Sequence, residues 1–424
     1  MGFKAWYIWF RQTPWVFKWF IIFIIFRPII DNYYHLKYIS PFLSPLNIVG
    51  VLTPVLCINA IIRFRQEKNI TDLLFIGWSI LVLISCTSIL LFGYRNLLEN
   101  LRFVLKLSLP IFLFPFLRIL IYNKTQLEGV LTAFLYSCII AASLMLYEIL
   151  QDPIGTQVSR GITRYQAGYG DVMNYAIYIT LGILGTSYFH LNKKKHIITN
   201  VKFLVIIGFC ILSLVNIGHV TSYLVFITII TFYLLYLIKA RIEYFILLLV
   251  FAAVFYSVYF DRLYEENIDP LIEYELQVIE GDRESRFLMH GRFGRWKSMW
   301  NVYANQPIAG KILGVFSSSQ SYSLVGGGVH NDFLRILFLT GVMGFLFYIG
   351  FLMNLLNRIR ILKLHDKFLL ITTLVVLILF SITTLPTLYA PFMYPVLSIF
   401  AYFSQSGYEI IEDYELEEND RSHE

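Results

Sequence analysis

An all-α, polytopic membrane protein with about twelve transmembrane helices and one large extracytoplasmic loop containing short helices is the fold the sequence predicts. Three observations predict it. First, 57% of the 424 residues are hydrophobic, 15% are charged and the mean hydropathy is +0.65, which leaves too little polar surface to cover a soluble globule of this size. Second, the apolar residues fall in unbroken runs of about twenty, the length of a bilayer-crossing helix. A transmembrane barrel would need short alternating segments instead. Third, basic residues collect in alternate connections between the runs.

In chain order, the expected spans are Pro14 to Ile30, Pro45 to Ile62, Thr71 to Phe92, Leu101 to Tyr122, Leu127 to Leu150 and Asp171 to His190. Val201 to Ile217, His219 to Ile238, Ile242 to Phe260, Asn331 to Asn354, Phe368 to Leu385 and Pro386 to Phe403 follow. The first run is succeeded by "RPIIDNYYH", which has no small-residue cleavage site, so it reads as an anchor and not a signal peptide. Cys57, Cys86, Cys138 and Cys210 all fall within spans and lack metal-site spacing, so they read as small buried apolar residues.

With the amino terminus cytoplasmic, the inside connections carry Arg63, Arg65 and Lys68, then Lys124, Lys193 to Lys195, Lys239 and Arg241, and finally Arg358, Arg360, Lys363 and Lys367. Arg27, Lys37 and Arg95 are scattered exceptions to this positive-inside pattern. The net charge of +6 comes mainly from these connections, so topology accounts for it without a nucleic-acid partner. The acidic tail "EDYELEEND" reads as solvated disorder.

Two external connections exceed simple hairpins, 151–170 and 261–330. The chain therefore divides into a bundle of about nine spans over 1–260 with the smaller loop inside it, the large loop over 261–330, three last spans over 331–403 and a cytoplasmic tail over 404–424. Both loops hold cations on the side the charge rule disfavours: Arg160 and Arg164 in the first, and Arg262, Arg283, Arg286, Arg292, Arg295, Lys297 and Lys311 in the second. Those cations need a reason other than orientation.

"GRFGRWKSMWNVYANQP" predicts a short helix from Arg292 to about Ala304, closed before Pro307. At about 100° per residue, Arg292, Arg295, Trp296, Met299, Trp300 and Tyr303 share one stripe. An interfacial helix at the headgroup level and a substrate-binding helix both fit that stripe. A glycine- and serine-rich connection follows, and the chain re-enters the membrane at "VHNDFLR". Asn331 or Asp332 caps the next helix, whose positive dipole end attracts phosphate. At that terminus the dipole and the arginines favour the neutral imidazole of His330, a form able to accept a proton. Arg335 lies one turn inside on the Asn331 face, where it either faces a polar cavity or snorkels. Lys106, Arg118 and Glu148 sit near span ends, where snorkelling suffices.

The arrangement "GRFGRW…NQPIAGKILG…VHNDFLRILFLTGVMG" resembles the signature region of the bacterial O-antigen polymerase and O-antigen ligase superfamily. "SRGITRYQAGYGDVMNYA" is similar to that family's arginine- and glycine-rich approach to a middle span. Where members carry a Thr-Ser-Arg-Gly string, this chain has "LVNIGHVTSY", with His219 and no arginine. The resemblance implies a glycosyltransferase of the bacterial inner membrane acting on the extracytoplasmic face. Its donor would be an undecaprenyl-diphosphate-linked glycan and its acceptor a glycan hydroxyl, with membrane lipids around it and a flippase and chain-length regulator as further partners. Arg160, Arg164, Arg292, Arg295 and Arg335 would hold the diphosphate, His330 would orient or deprotonate the acceptor hydroxyl, and Asn331 and Trp296 would support them. No cofactor or metal is expected.

Asp282 and Glu284 in "EGDRESRF" offer a metal-dependent alternative, but they alternate with Arg283 and Arg286 and read more simply as charge pairing. A polymerase joining repeat units and a ligase moving finished polymer to lipid A core share the donor chemistry, and polymerase is favoured because no further basic external patch meets a second phosphorylated acceptor. A transporter or flippase has a similar number of spans, but the sequence marks no paired broken helices.

Overall fold

The computed structural model describes residues 2–40, 43–64, 69–92, 96–151, 157–159, 162–165, 168–192, 197–240, 269–281, 291–314 and 330–405, with isolated residues between 242 and 265. At 157–159, 162–164, 197–202, 240, 270, 271 and 275 this description covers the backbone alone. The expected span Ile242 to Phe260 lies mostly outside the described residues, as does the acidic tail from 406 onward.

Among the described residues the regular structure is helical, apart from one short hairpin. In order, the helices are α1 (Phe3–Gln12), α2 (Trp15–Asn32), α3 (Leu36–Ile39), α4 (Pro45–Arg63), α5 (Ile70–Phe92), α6 (Leu97–Leu120) and α7 (Lys124–Gln151). Strands β1 (Gln157–Ser159) and β2 (Ile162–Arg164) pair antiparallel, with Gln157 opposite Arg164. There follow α8 (Val172–Asn192), α9 (Ile197–Ile217), α10 (Val220–Ala240), α11 (Asp269–Glu280), α12 (Arg292–Ala304), α13 (Ile308–Leu313), α14 (Asp332–Arg358), α15 (Leu364–Thr383) and α16 (Ala390–Phe403).

Among the described residues seven helices are long and apolar enough to cross a membrane: α4, α5, α6, α7, α10, α14 and α15. A helix pairs most of its backbone polar groups within itself, which is what hydrocarbon demands. α2 also runs for 18 residues and is apolar, but it carries three charged residues, Lys18, Arg27 and Asp31.

The centre of the bundle is α16, every residue of which is buried. It packs on α6, α7 and α8, while α14 lies against α5 and α15 against α10. The four cysteines are buried and free, so their reading as small apolar residues holds.

Three details differ from the sequence reading. α16 begins at Ala390, not Pro386, because Pro386–Leu388 forms a separate 3-10 turn whose Thr387 N–H donates to Asp332 at 3.0 Å. Arg118 does not snorkel; it is buried and paired with Asp72 of α5. Glu148 is buried as well.

The third difference is a break in α14. Gly341 has φ 65° and ψ −177°, a conformation open to glycine alone, so the helix is interrupted nine residues past Asp332, about 13 Å along its axis. Gly314, at φ 70°, caps α13 directly against the break. A Cβ on Gly341 would overlap the Ile312 carbonyl, and one on Gly314 the Leu339 carbonyl. Ser85 of α5 donates its hydroxyl to that same Leu339 carbonyl. Three elements therefore meet at the interruption, and this positions the segment that carries the arginines.

Gly341→Ala is expected to cost about 1–3 kcal/mol from the backbone conformation alone. The overlap with Ile312 adds to that cost, and thermal unfolding of the solubilised protein measures it. An unchanged midpoint would mean that the break is not required.

Candidate functional site

The polar cluster of greatest chemical interest gathers where α14 begins. Asn331 caps the helix, its side-chain oxygen accepting from the Leu334 N–H at 3.0 Å. His330 precedes it with φ 44°, the one non-glycine residue with positive φ among those described. A left-handed histidine is held by its surroundings and not by its own preference.

Those surroundings come from three directions. α12 forms over Arg292–Ala304, as the stop before Pro307 predicts. It is tied to α13 by the Tyr303 hydroxyl, which donates to the Lys311 carbonyl at 2.9 Å, and α13 is seated on the break in α14. This chain of supports carries Arg292 and Arg295 to within electrostatic range of His330. Asp171 approaches from the start of α8, where it accepts from the Met173 N–H at 2.9 Å and from the Tyr389 hydroxyl at 3.0 Å. Its carboxylate also acts on His330.

The electrostatic result follows from these placements. Half-burial lowers the imidazole below its ordinary value, Arg292 and then Arg295 lower it further, and Asp171 acts in the opposite direction. The neutral ring is the favoured form near pH 7.

The expected stripe of α12 is split. Met299 and Tyr303 are buried and Arg292 and Trp296 half-buried, whereas Arg295 and Trp300 are exposed. Phe293, Trp300 and Ile308 present large apolar surface outward from α12 and α13.

Arg335 stands apart. Its Nε donates to Asp332 at 2.7 Å, a terminal nitrogen bonds Thr387 Oγ1, and the residue is 2% exposed. Asp332 also accepts from the Thr387 backbone, so Arg335 fastens the start of α14 to the turn before α16. That makes it a residue that shapes the site.

Arg160 lies outside the described residues, as do Asp282 and Glu284 and most of the connection between Gly314 and His330. Arg164 has its backbone in β2, and the adjoining Tyr165 N–H donates to the Asn216 carbonyl at 3.1 Å. This links the hairpin to the end of α9. His219 sits in the α9–α10 corner with its Nδ1 at 2.8 Å from Ser222 Oγ. Sequence reasoning missed Asp171 and Tyr389 as members of the cluster. The signal for Asp171 was a carboxylate closing the glycine-bearing "AGYGD" just before a helix.

No protein-family model matches this chain, and no curated protein matches it.

Because the His330 imidazole is depressed, the acid limb of any activity that needs it as a base lies below pH 6.5, the ordinary histidine value. The sign for stability is the same. As pH falls through that value the unfolded chain takes up the proton first, so the site loses stability in acid. Arg292→Gln is expected to move the acid limb upward, read from a pH–rate profile of variant and parent. A limb left in place would remove Arg292 from the neighbourhood that matters.

Proposed function

We propose that this protein is a polytopic membrane glycosyltransferase of about twelve spans. It would move a glycan from a polyprenyl diphosphate, undecaprenyl diphosphate in a bacterial inner membrane, to a hydroxyl of an acceptor sugar. The observation that carries the reading is the placing of His330 at the head of α14, within range of two guanidinium groups and one carboxylate. The likeness of the "GRFGRW" and "VHNDFLRILFLTG" segments to O-antigen polymerases and ligases supplies the substrate class.

The chemistry suits the residues. The acceptor oxygen bonds to the anomeric carbon as the bond from that carbon to the diphosphate oxygen breaks, and the electron pair leaves with the diphosphate. The hydroxyl proton goes to neutral His330 and from there to solvent. Negative charge grows on the leaving group, so Arg292, Arg295 and the positive end of α14 stabilise the transition state more than the ground state. Asp171 favours the imidazolium once it forms. On this reading Arg160 and Arg164 of the smaller loop would be further cations for the diphosphate. Asn331 fixes the helix start, and Trp296, on the same helix as Arg292 and Arg295, packs against the buried core. Such chemistry needs no cofactor. Joining repeat units is favoured over transfer of finished polymer to lipid A core.

The break in α14 is also a feature transporters use, so the deciding test must detect bond formation. Purified protein in bilayers supplied with a lipid-linked repeat unit is expected to yield a ladder of longer glycans. One transfer to lipid A core without a ladder identifies a ligase, and translocation without any new glycosidic bond identifies a transporter.

A further inference from the structure

Where α16 ends, on the far side of the bundle from His330, several helix termini are tied together. The Ser404 carbonyl accepts from the Asn69 side chain just before α5, and the Gln405 side-chain amide donates to the Ile121 carbonyl at the end of α6. Thr71 of α5 donates to the Asn354 side chain near the end of α14 at 2.6 Å. Lys124 Nζ, at the start of α7, lies 2.8 Å from His365 Nε2 at the start of α15. The chain beyond Gln405 therefore sets out from among these termini.

The face they form is basic. Arg360 and Lys363 are exposed, and Lys124, Arg358 and Lys367 are half-buried. The described acids beside them already have partners: Arg118 takes Asp72, Asn192 donates to Glu128 at 2.8 Å, and His365 stands 3.3 Å from the buried Asp366. With Arg118 and Asp72 cancelling, five cations share the face with two engaged carboxylates, which leaves a surplus of positive charge.

The complement to that surplus lies in the same chain. Between Glu409 and Asp420 there are seven acids and no cation, beginning four residues after Gln405. The fifteen residues from Gln405 to Asp420 reach up to about 50 Å, and packed helices stand about 10 Å apart, so the stretch can cover the whole face. Tethered there, it is present at millimolar effective concentration, ahead of a free polyanion.

We propose that the acidic segment 409–420 docks on this face of its own chain, its carboxylates set against Lys124, Arg358, Arg360, Lys363 and Lys367. The inference does not depend on the transferase reading. Single exposed ion pairs hold weakly, so the attachment comes from several acting together and fades as salt screens them. Once docked, the segment covers the connection between α14 and α15 and the start of α7, and keeps anionic headgroups off them.

Carbodiimide joins a carboxylate to a lysine amine only where the two touch, so it reads the docking on the full chain, one copy per zwitterionic nanodisc. Cross-links from 409–420 to Lys124, Lys363 or Lys367 are expected in peptide mass spectra at least about tenfold above those to Lys297, an exposed lysine of α12. Their yield should fall severalfold at about 1 M salt, where charges are screened beyond about 3 Å. Arg358→Gln with Arg360→Gln leaves the lysines in place and should lower the yield severalfold too. Equal cross-linking to Lys297 overturns the proposal, as does a yield indifferent to salt or unchanged in the double variant with a parental unfolding midpoint. Loss of the cross-links in nanodiscs containing equimolar phosphatidylglycerol also overturns it, and would make the face a seat for bulk anionic lipid.

Discussion

Replacing His330 with alanine is expected to slow glycan transfer by about 10²- to 10⁴-fold, the usual contribution of a positioned general base. The residue also carries a backbone conformation, φ 44°, which separates its two roles. His330→Gly relieves that strain and is expected to unfold no earlier than the parent while losing the same activity. His330→Gln keeps a polar side chain but cannot take the proton, so it should fall with the others. The measurement is the initial rate of chain lengthening in reconstituted bilayers, alongside a thermal scan of each variant. A glutamine variant with parental rate would leave the imidazole without a catalytic part.

The second large effect concerns stability. Asp332 is fully buried and engages both Arg335 and the Thr387 N–H. Asp332→Ala strands a buried guanidinium and is expected to cost about 3–5 kcal/mol. Replacing both charged residues with apolar ones, Asp332→Leu with Arg335→Met, should recover much of this, because the pair exacted a desolvation cost when it formed. Tryptophan fluorescence on heating the solubilised protein reads both. If the single variant melts with the parent, the pair does not fasten these elements. Loss of the contact should also loosen Tyr389, two residues beyond Thr387, and with it the support of Asp171.

The helices were readable from sequence because each crossing depends on a local run of apolar side chains, and α12 because its stripe recurs at helical spacing and a proline closes it. Asn331 was readable as a cap for the same local reason. Long-range pairing left no such trace. Arg118 finds Asp72 on a neighbouring helix, and Arg335 finds Thr387 in the turn before α16, so both looked like cations in search of water. Nothing local marks Gly341 as a break, since its conformation goes with α13 pressing on it. Within the candidate site, the cations and His330 were legible as out-of-place charges, whereas Asp171 and Tyr389 depended on tertiary neighbours.

The interruption at Gly341 bears on how the molecule is made. A helix entering hydrocarbon with a gap in its ladder exposes peptide groups that lipid cannot satisfy. Ser85 answers one of them from a segment synthesised long before, and Gly314 closes over the gap from the stretch just upstream. Biogenesis is therefore ordered: α14 can settle only beside an already inserted α5, and the arginine-bearing segment waits, without a seat, until the ribosome has delivered the helix that follows it.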